Sequence, residues 1–531
     1  MSNDNHFGET ENIRVAKAAW VVGAATFLSR IFGFIRDVVV AGFFGAGLAT
    51  DAFFVAFRIP NLLRRLFAEG SLTIAFIPVF TEYLKKKSRE DAVALASIAF
   101  TLLSIILVLV SFLGILFAPG IVKIIAWGFT KNPDQYGLTV FLTRLMFPYI
   151  FFISLVALCM GILNSLRHFA APALAPVVLN ISMIAAVFLF RGFFDEPIMA
   201  LAVGVIIGGV LQLVMQFPFL ARMGVKLKVN FHFNHPGIRK IGLLMLPAIF
   251  GAAVYQINIF VSTLLASFLA VGSVSYLYYA DRLVQLPLGV FAIAIGTASL
   301  PSFSEHVAEG KLDELKKTLS FALQLILFVT IPAMVALIVL RVPIISVLFQ
   351  RGAFDVVKTI YTSEALLFYA VGLWAFSLVR VIVPAFYSLQ DTKTPVKIAV
   401  VALFVNMVMG VILMFPLKHG GLALATSIAS AVNVIILYVM LERRIGRFLE
   451  REFFVSLFKV ILSSLIMAGA IGIVGYIVPW NNEAPFDDRL LFLGLTIGIG
   501  IVIFIACSYF FKSREMFAVF RTVRGKLGRK S

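Results

Sequence analysis

Residues 92–118 read AVALASIAFTLLSIILVLVSFLGILFA, a run of 27 residues without a single charge. At about 1.5 Å per residue, a helix of that length exceeds the roughly 30 Å hydrocarbon core of a bilayer. A helix also satisfies its own backbone hydrogen bonds there, with no water to help. Similar runs recur along the chain, so that 61% of its 531 residues are hydrophobic and 14% charged, against about 45–50% and about 25% in soluble domains. Breaking the runs at charge, Gly and Pro clusters predicts about fourteen spans between residues 15 and 511, among them 49–84, 395–416 and 420–441. The expected fold class is an all-α polytopic membrane protein. No hydrophilic stretch exceeds roughly twenty residues, which leaves no room for a separate soluble domain.

The net charge of +18 is first a statement about orientation. Alternate loops counted from the N-terminus hold about 28 Lys and Arg, and the opposite loops about 8. The positive-inside rule then puts both termini in the cytoplasm, and no nucleic-acid partner is needed to account for the charge. The basic segment 512–531 suits either solvent or anionic membrane lipid. Cys159 and Cys507 both lie in apolar runs, which argues against a disulfide framework. The polar start leads into the first apolar run without a small-residue cleavage site, so that run is expected to be retained as a span.

Three patterns repeat at an offset of about 223. Pro78-Val79-Phe80-Thr81-Glu82 returns as Pro301-Ser302-Phe303-Ser304-Glu305, residues 119–128 align with 343–352, and Ser165-Leu166 before Pro172 matches Ser388-Leu389 before Pro395. Two six-helix lobes of like orientation follow: an N-terminal lobe at 1–221, a cytoplasmic linker at 222–238 and a C-terminal lobe at 239–441. Two extra helices occupy 442–511, ahead of the basic tail 512–531. Parallel repeats with a site at their interface are a transporter arrangement, in which rocking of one repeat against the other gives alternating access.

Nine basic residues fall within spans: Arg30, Arg36, Arg58, Arg64, Arg65, Arg144, Arg282, Arg380 and Lys459. An arginine at mid-bilayer costs at least about 2.5 kcal/mol, so such residues need water, an acid or a bound anion. Arg30, Arg36, Arg64 and Arg282 are read as lining a cationic cavity. Arg58, Arg65 and Arg144 fit a paired or interfacial role equally well, and Arg380 and Lys459 read as structural. Gly33 and Pro60 are candidate bend points. A guanidinium never deprotonates and offers a planar fork, which suits a phosphate-like headgroup. No GxxxxGK[ST] loop for ATP occurs. An inside-negative potential would favour export of two negative charges by about 4.6 kcal/mol per 100 mV.

The segments Ser29-Arg30-Ile31-Phe32-Gly33-Phe34-Ile35-Arg36-Asp37, Phe44-Gly45-Ala46-Gly47, Thr50-Asp51-Ala52-Phe53, Pro60-Asn61-Leu62-Leu63-Arg64-Arg65, Phe67-Ala68-Glu69-Gly70 and Tyr278-Tyr279-Ala280-Asp281-Arg282 together resemble the MurJ (MviN) lipid II flippases of the multidrug/oligosaccharidyl-lipid/polysaccharide exporter superfamily. The resemblance spans essentially the whole chain. It implies a fourteen-helix bacterial inner-membrane protein that carries undecaprenyl-pyrophosphoryl-MurNAc-pentapeptide-GlcNAc (lipid II) from cytoplasm to periplasm for peptidoglycan synthesis. By motif, Arg30, Arg36, Arg64 and Arg282 would hold the pyrophosphate. Ser29, Asp37, Asp51, Asn61, Arg65 and Asp281 would be the supporting polar residues, with Asp37 and Asp281 orienting their neighbours. The extra helices at 442–511 would form a groove for the prenyl tail.

No prosthetic cofactor is implied, and sodium, a proton or the membrane potential stand as alternative energy sources. Asn258, Asn406 and Thr426 are weak sodium candidates, since no acid accompanies them. Gln285 stands where some relatives carry Glu. The implied partners are lipid II, membrane lipids and cell-wall synthesis proteins. Three other functions make different demands on the chain. A multidrug antiporter would want an acidic cavity, a polyprenyl-phosphate enzyme would want paired carboxylates or a His with an acid, and a wall-synthesis scaffold could coexist with transport.

Overall fold

The computed structural model describes residues 3–64 and 72–517; Arg65, Glu69 and the tail beyond residue 517 lie outside the described residues. Among the described residues every regular element is helical, as the apolar runs require. Two compact units divide at Val271 and Gly272. Packing thus divides the chain later than the repeat does, leaving residues 239–267 with the first unit.

The first unit holds α1 (Asn3–Phe44), α2 (Leu48–Leu63), α3 (Thr73–Lys86), α4 (Arg89–Leu116), α5 (Ala118–Ile125), α6 (Pro133–Met146), α7 (Tyr149–Ser165), α8 (Ala170–Phe190), α9 (Met199–Arg222) and α10 (Pro236–Ser267). Small residues set its closest contact. A Cβ on Gly204 of α9 would stand 2.7 Å from Ala186 Cβ of α8, and one on Gly208 would stand 2.7 Å from Leu179 Cδ1. Glycines spaced by four let two backbones approach where lipid offers no hydrophobic drive between helices. The connection before α10 lies along α4, where Ser97 Oγ and Thr101 Oγ1 accept from the N–H groups of Lys228 (3.2 Å) and Asn230 (3.0 Å). Lys240 Nζ then meets Glu82 Oε2 at 2.6 Å, joining the start of α10 to the end of α3.

The second unit holds α11 (Ser273–Pro287), α12 (Ile293–Ala308), α13 (Leu312–Val339), α14 (Arg341–Phe349), α15 (Val356–Val371), α16 (Leu373–Ser388), α17 (Lys393–Ile445), α18 (Arg451–Ile477) and α19 (Phe486–Phe510). A π-helical turn, Leu288–Ala292, joins α11 to α12 directly after Pro287. α15 and α16 are bent by 42° at Gly372, where an added Cβ would meet Ser427 Oγ at 2.4 Å.

Among the described residues nine helices are long and apolar enough to cross a membrane, ten if α15 and α16 form one span. The sequence reading gave about fourteen. Part of the difference is α17, which is two helices joined at Lys418 (φ 49°, ψ −128°) and combines the expected spans 395–416 and 420–441. The expected span 49–84 contains residues 65–71, outside the description.

The repeat is written into the backbone of each unit. Phe80 in α3 and Phe303 in α12 are both fully buried, each two residues after a proline inside its helix. Phe117 (φ −90°, ψ 8°) ends α4 as Leu340 (φ −95°, ψ 15°) ends α13, and a short helix follows each. Asn132 caps α6 and Asp355 caps α15, both through side-chain oxygens. The long helices α9 and α17 are followed by Gly224 (φ 69°) and Gly446 (φ 81°), the left-handed termini that glycine supplies without steric cost.

Candidate functional site

In α1 the Ser29–Asp37 motif forms a buried polar link to α8. Arg36 and Asp37 are both buried, and Asp37 Oδ1 accepts from Arg36 Nη2 at 2.6 Å and Nε at 3.1 Å. Arg36 Nη1 donates to Asn180 Oδ1 at 3.0 Å, and Asn180 Nδ2 donates back to the Ser29 carbonyl at 3.3 Å. Such a charge-assisted pair holds only while its partners are all present, because loss of one leaves an uncompensated charge in an apolar interior. α1 continues as a helix through Gly33, whose absent side chain faces the Asn180 amide: a Cβ there would lie 3.5 Å from Nδ2. Arg30 is exposed and Ser29 half-buried.

α2 begins after Gly47, whose N–H donates to Thr50 Oγ1 at 2.8 Å. Asp51 is buried in the first turn, where the helix dipole favours a negative charge. One face further along, Arg58 donates to Thr263 Oγ1 of α10, and that hydroxyl donates on to the Ile259 carbonyl at 2.7 Å. Asn61 and Arg64 are half-buried at the end of α2, just past Pro60. Arg65 lies outside the described residues.

In the second unit, α11 carries the other cation. Arg282 is exposed, donates from Nη2 to the Tyr278 hydroxyl at 2.8 Å, and places Cζ 4.9 Å from the centre of the same ring. The two contacts fix the fork from an (i, i+4) neighbour. Half-buried Asp281 accepts from Gln285 Nε2 at 3.5 Å, so Gln285 braces the acid beside the arginine.

Thr426 Oγ1 donates to Asn406 Oδ1 at 3.4 Å within the second unit, while Asn258 belongs to the first. Among the described residues no three His, Cys, Asp or Glu side chains group as metal ligands would.

The second unit also contains an apolar cavity of about 400 Å³ among α13, α16, α17 and α18, with Leu327, Trp374, Ile382, Ile435, Phe453 and Leu457 in its wall. Of the two helices assigned to the prenyl tail, α18 lines this cavity and α19 does not.

Sequence reasoning missed Asn180, Thr263 and the role of Tyr278. A signal existed for the first: apart from Ser182, Asn180 is the only polar residue in α8, and an amide inside an apolar span is costly unless bonded.

A family profile described as lipid II flippase MurJ matches residues 40–482. A probable lipid II flippase MurJ of Buchnera aphidicola subsp. Acyrthosiphon pisum is 39% identical over 470 residues, covering 88% of this chain and 92% of the relative. Its counterpart in Vibrio cholerae is 37% identical over 508 residues, covering 94% and 97%. The solved structure of a lipid II flippase MurJ in an inward closed conformation superposes with a TM-score of 0.78 at 30% identity, covering 92% of this chain and 98% of that one. An inward-facing multidrug transporter of the MATE family and MOP superfamily reaches 0.65 at 16% identity, covering 81% and 98%, which is a likeness of fold alone. These relatives are transporters, not enzymes. With profile, sequence and fold in agreement over most of its length, the chain belongs to the MurJ lipid II flippase family.

Proposed function

We propose that this protein moves lipid II from the cytoplasmic to the periplasmic leaflet of a bacterial inner membrane by alternating access, with both termini in the cytoplasm. The observation that carries the reading is the near full-length match to proteins described as lipid II flippases. Arginine chemistry supports the finer part. Arg30, Arg64 and Arg282 are the cations proposed to grip the pyrophosphate, in bidentate, charge-assisted bonds. Arg36, already engaged by Asp37 and Asn180, supplies charge and holds the shape of its surroundings. Tyr278 and Gln285 set the orientation of Arg282 and Asp281. Asp51 and Asn61 are proposed to complete the polar lining. The apolar cavity beside α18 offers space for part of the prenyl chain.

The membrane potential, sodium or a proton provides the drive. A leaflet-resolved lipid II assay in reconstituted vesicles tests both parts, with potential and sodium varied separately. Arg30→Ala, Arg64→Ala and Arg282→Ala should each stop translocation while the protein still inserts and folds. Normal translocation by all three would overturn the site assignment, and chemical turnover of the lipid-linked substrate would overturn the transporter reading.

A further inference from the structure

Two arginines are anchored at the same corner of the second unit, far along the sequence from the motifs described so far. Arg351 follows α14 and donates from Nη2 to the carbonyls of Val347 (2.8 Å) and Leu348 (3.0 Å). Its Cζ lies 5.5 Å from the ring centre of Phe486, which opens α19. Three residues on, along the same face of α19, Arg489 Nη1 donates to Ser346 Oγ at 2.9 Å. That hydroxyl donates to Gln350 Oε1 at 2.7 Å, and Gln350 Nε2 donates to the Asn482 carbonyl at 2.8 Å. The α14 end and the α18–α19 connection are thus laced together, and both guanidiniums are held in place.

The charge balance at this point is unusual. Neither arginine has a carboxylate within ion-pair distance among the described residues: Asp487 and Asp488, beside Arg489, are exposed, and Asp355, four residues after Arg351, pairs with Lys358. Arg489 Nε is buried with no hydrogen-bond partner. Burial and, next, the charge of Arg489 push the Arg351 guanidinium below its ordinary pKa. Two like charges held together in this way are stabilised by an anion, and two guanidinium forks match the oxygens of a phosphate.

The surroundings say where that phosphate comes from. Tyr476 (89% exposed), Ile477, Leu491 and the Trp480 indole, whose Nε1 donates to Asn482 Oδ1 at 2.8 Å, form an aromatic and aliphatic rim at the ends of two candidate spans. Such rims mark the level of lipid headgroups. We propose that Arg351 and Arg489 form a binding site for the phosphodiester headgroup of an anionic phospholipid, docked where α14 meets α19. The site is argued independently of the lipid II reading.

The test uses the full-length protein, purified and titrated with phosphatidylglycerol or phosphatidylcholine, with retained lipid counted by native mass spectrometry. The wild type should retain phosphatidylglycerol in preference. R351Q/R489Q should lower that retention about tenfold, with phosphatidylcholine unchanged. Inorganic phosphate at millimolar concentration should not displace the lipid. R351Q alone changes an exposed side chain, keeps the Arg489–Ser346 contact and should also lower retention. Equal phosphatidylglycerol retention by the wild type and both variants overturns the site. Equal loss of both lipids, or displacement by inorganic phosphate, overturns its assignment to an anionic lipid.

Discussion

Arg167 and Gln390 hold the same left-handed backbone, φ 60° and 59°, at corresponding positions about 223 residues apart, and neither is a glycine. Each follows a helix that ends on serine, α7 at Ser165 and α16 at Ser388, with Leu166 (φ −88°, ψ 12°) and Leu389 (φ −82°, ψ 10°) as matching caps. The two units therefore share a strained turn as well as an order of helices.

Left-handed geometry costs an L-residue about 1–2 kcal/mol that glycine does not pay, offset in part by glycine's freer unfolded chain. Gln390→Gly should accordingly stabilise the protein by up to about 1 kcal/mol, read as a higher Tm of the purified protein. A lower Tm would show that the Gln390 side chain contributes more than its backbone costs.

Asn180 gives Arg36 its second acceptor and ties Ser29 to α8. Asn180→Ala should destabilise the protein by about 1.5–3 kcal/mol, the range for a lost hydrogen bond to a charged group. Asn180→Asp keeps the acceptor but loses the donor to the Ser29 carbonyl and adds a second carboxylate beside Asp37, so it should not recover the loss. A variant as stable as wild type would remove Asn180 from the α1–α8 link.

Tyr278→Phe keeps the ring under Arg282 and deletes only the hydroxyl at 2.8 Å. Translocation in vesicles should slow about fivefold, corresponding to roughly 1 kcal/mol, with unchanged insertion. An unchanged rate would mean that Arg282 acts without this brace.

His235 caps α10 by accepting the Gly237 N–H on Nδ1 at 3.2 Å, which requires an unprotonated Nδ1. Burial foremost, then Lys87, lowers its pKa, while Asp91 pulls the other way and His232 adds to the lowering. On acidification the unfolded chain takes up the proton first. The stability is therefore present above the unfolded value of about 6.5 and is lost as pH falls toward the lower folded value. Tm should drop between about pH 7.5 and about pH 5.5, and His235→Ala, lacking the cap at every pH, should start about 1 kcal/mol lower with a flatter profile. An identical slope in the variant would locate the acid sensitivity elsewhere.

Composition alone made helices inevitable, and the Pro-x-Phe-[Ser/Thr]-Glu repeat was readable because Phe80 and Phe303 must be apolar to be buried. The caps Asn132 and Asp355 escaped notice because two different residues perform one task, and a pattern search compares letters where a helix end compares oxygens. The α1 motif was legible as a cluster of charge, but Asn180 is 144 residues from Arg36, and no local spacing announces such a partner. Gly33 reads as a bend because glycine weakens helices; its facing a polar amide of α8 is a tertiary fact that no local pattern carries. Span counting separated 395–416 from 420–441, and Lys418 turns the chain between them.

The cavity beside α18 has almost no polar wall: Tyr438 alone brings a hydroxyl, and that hydroxyl already donates to Glu442 at 2.9 Å. An occupant is consequently gauged by girth and length, without directional bonds to check its identity. On the proposed role of this cavity, a slender alkyl amphiphile competes for the same slot, and translocation activity should vary with the chain length of the solubiliser chosen to extract the protein.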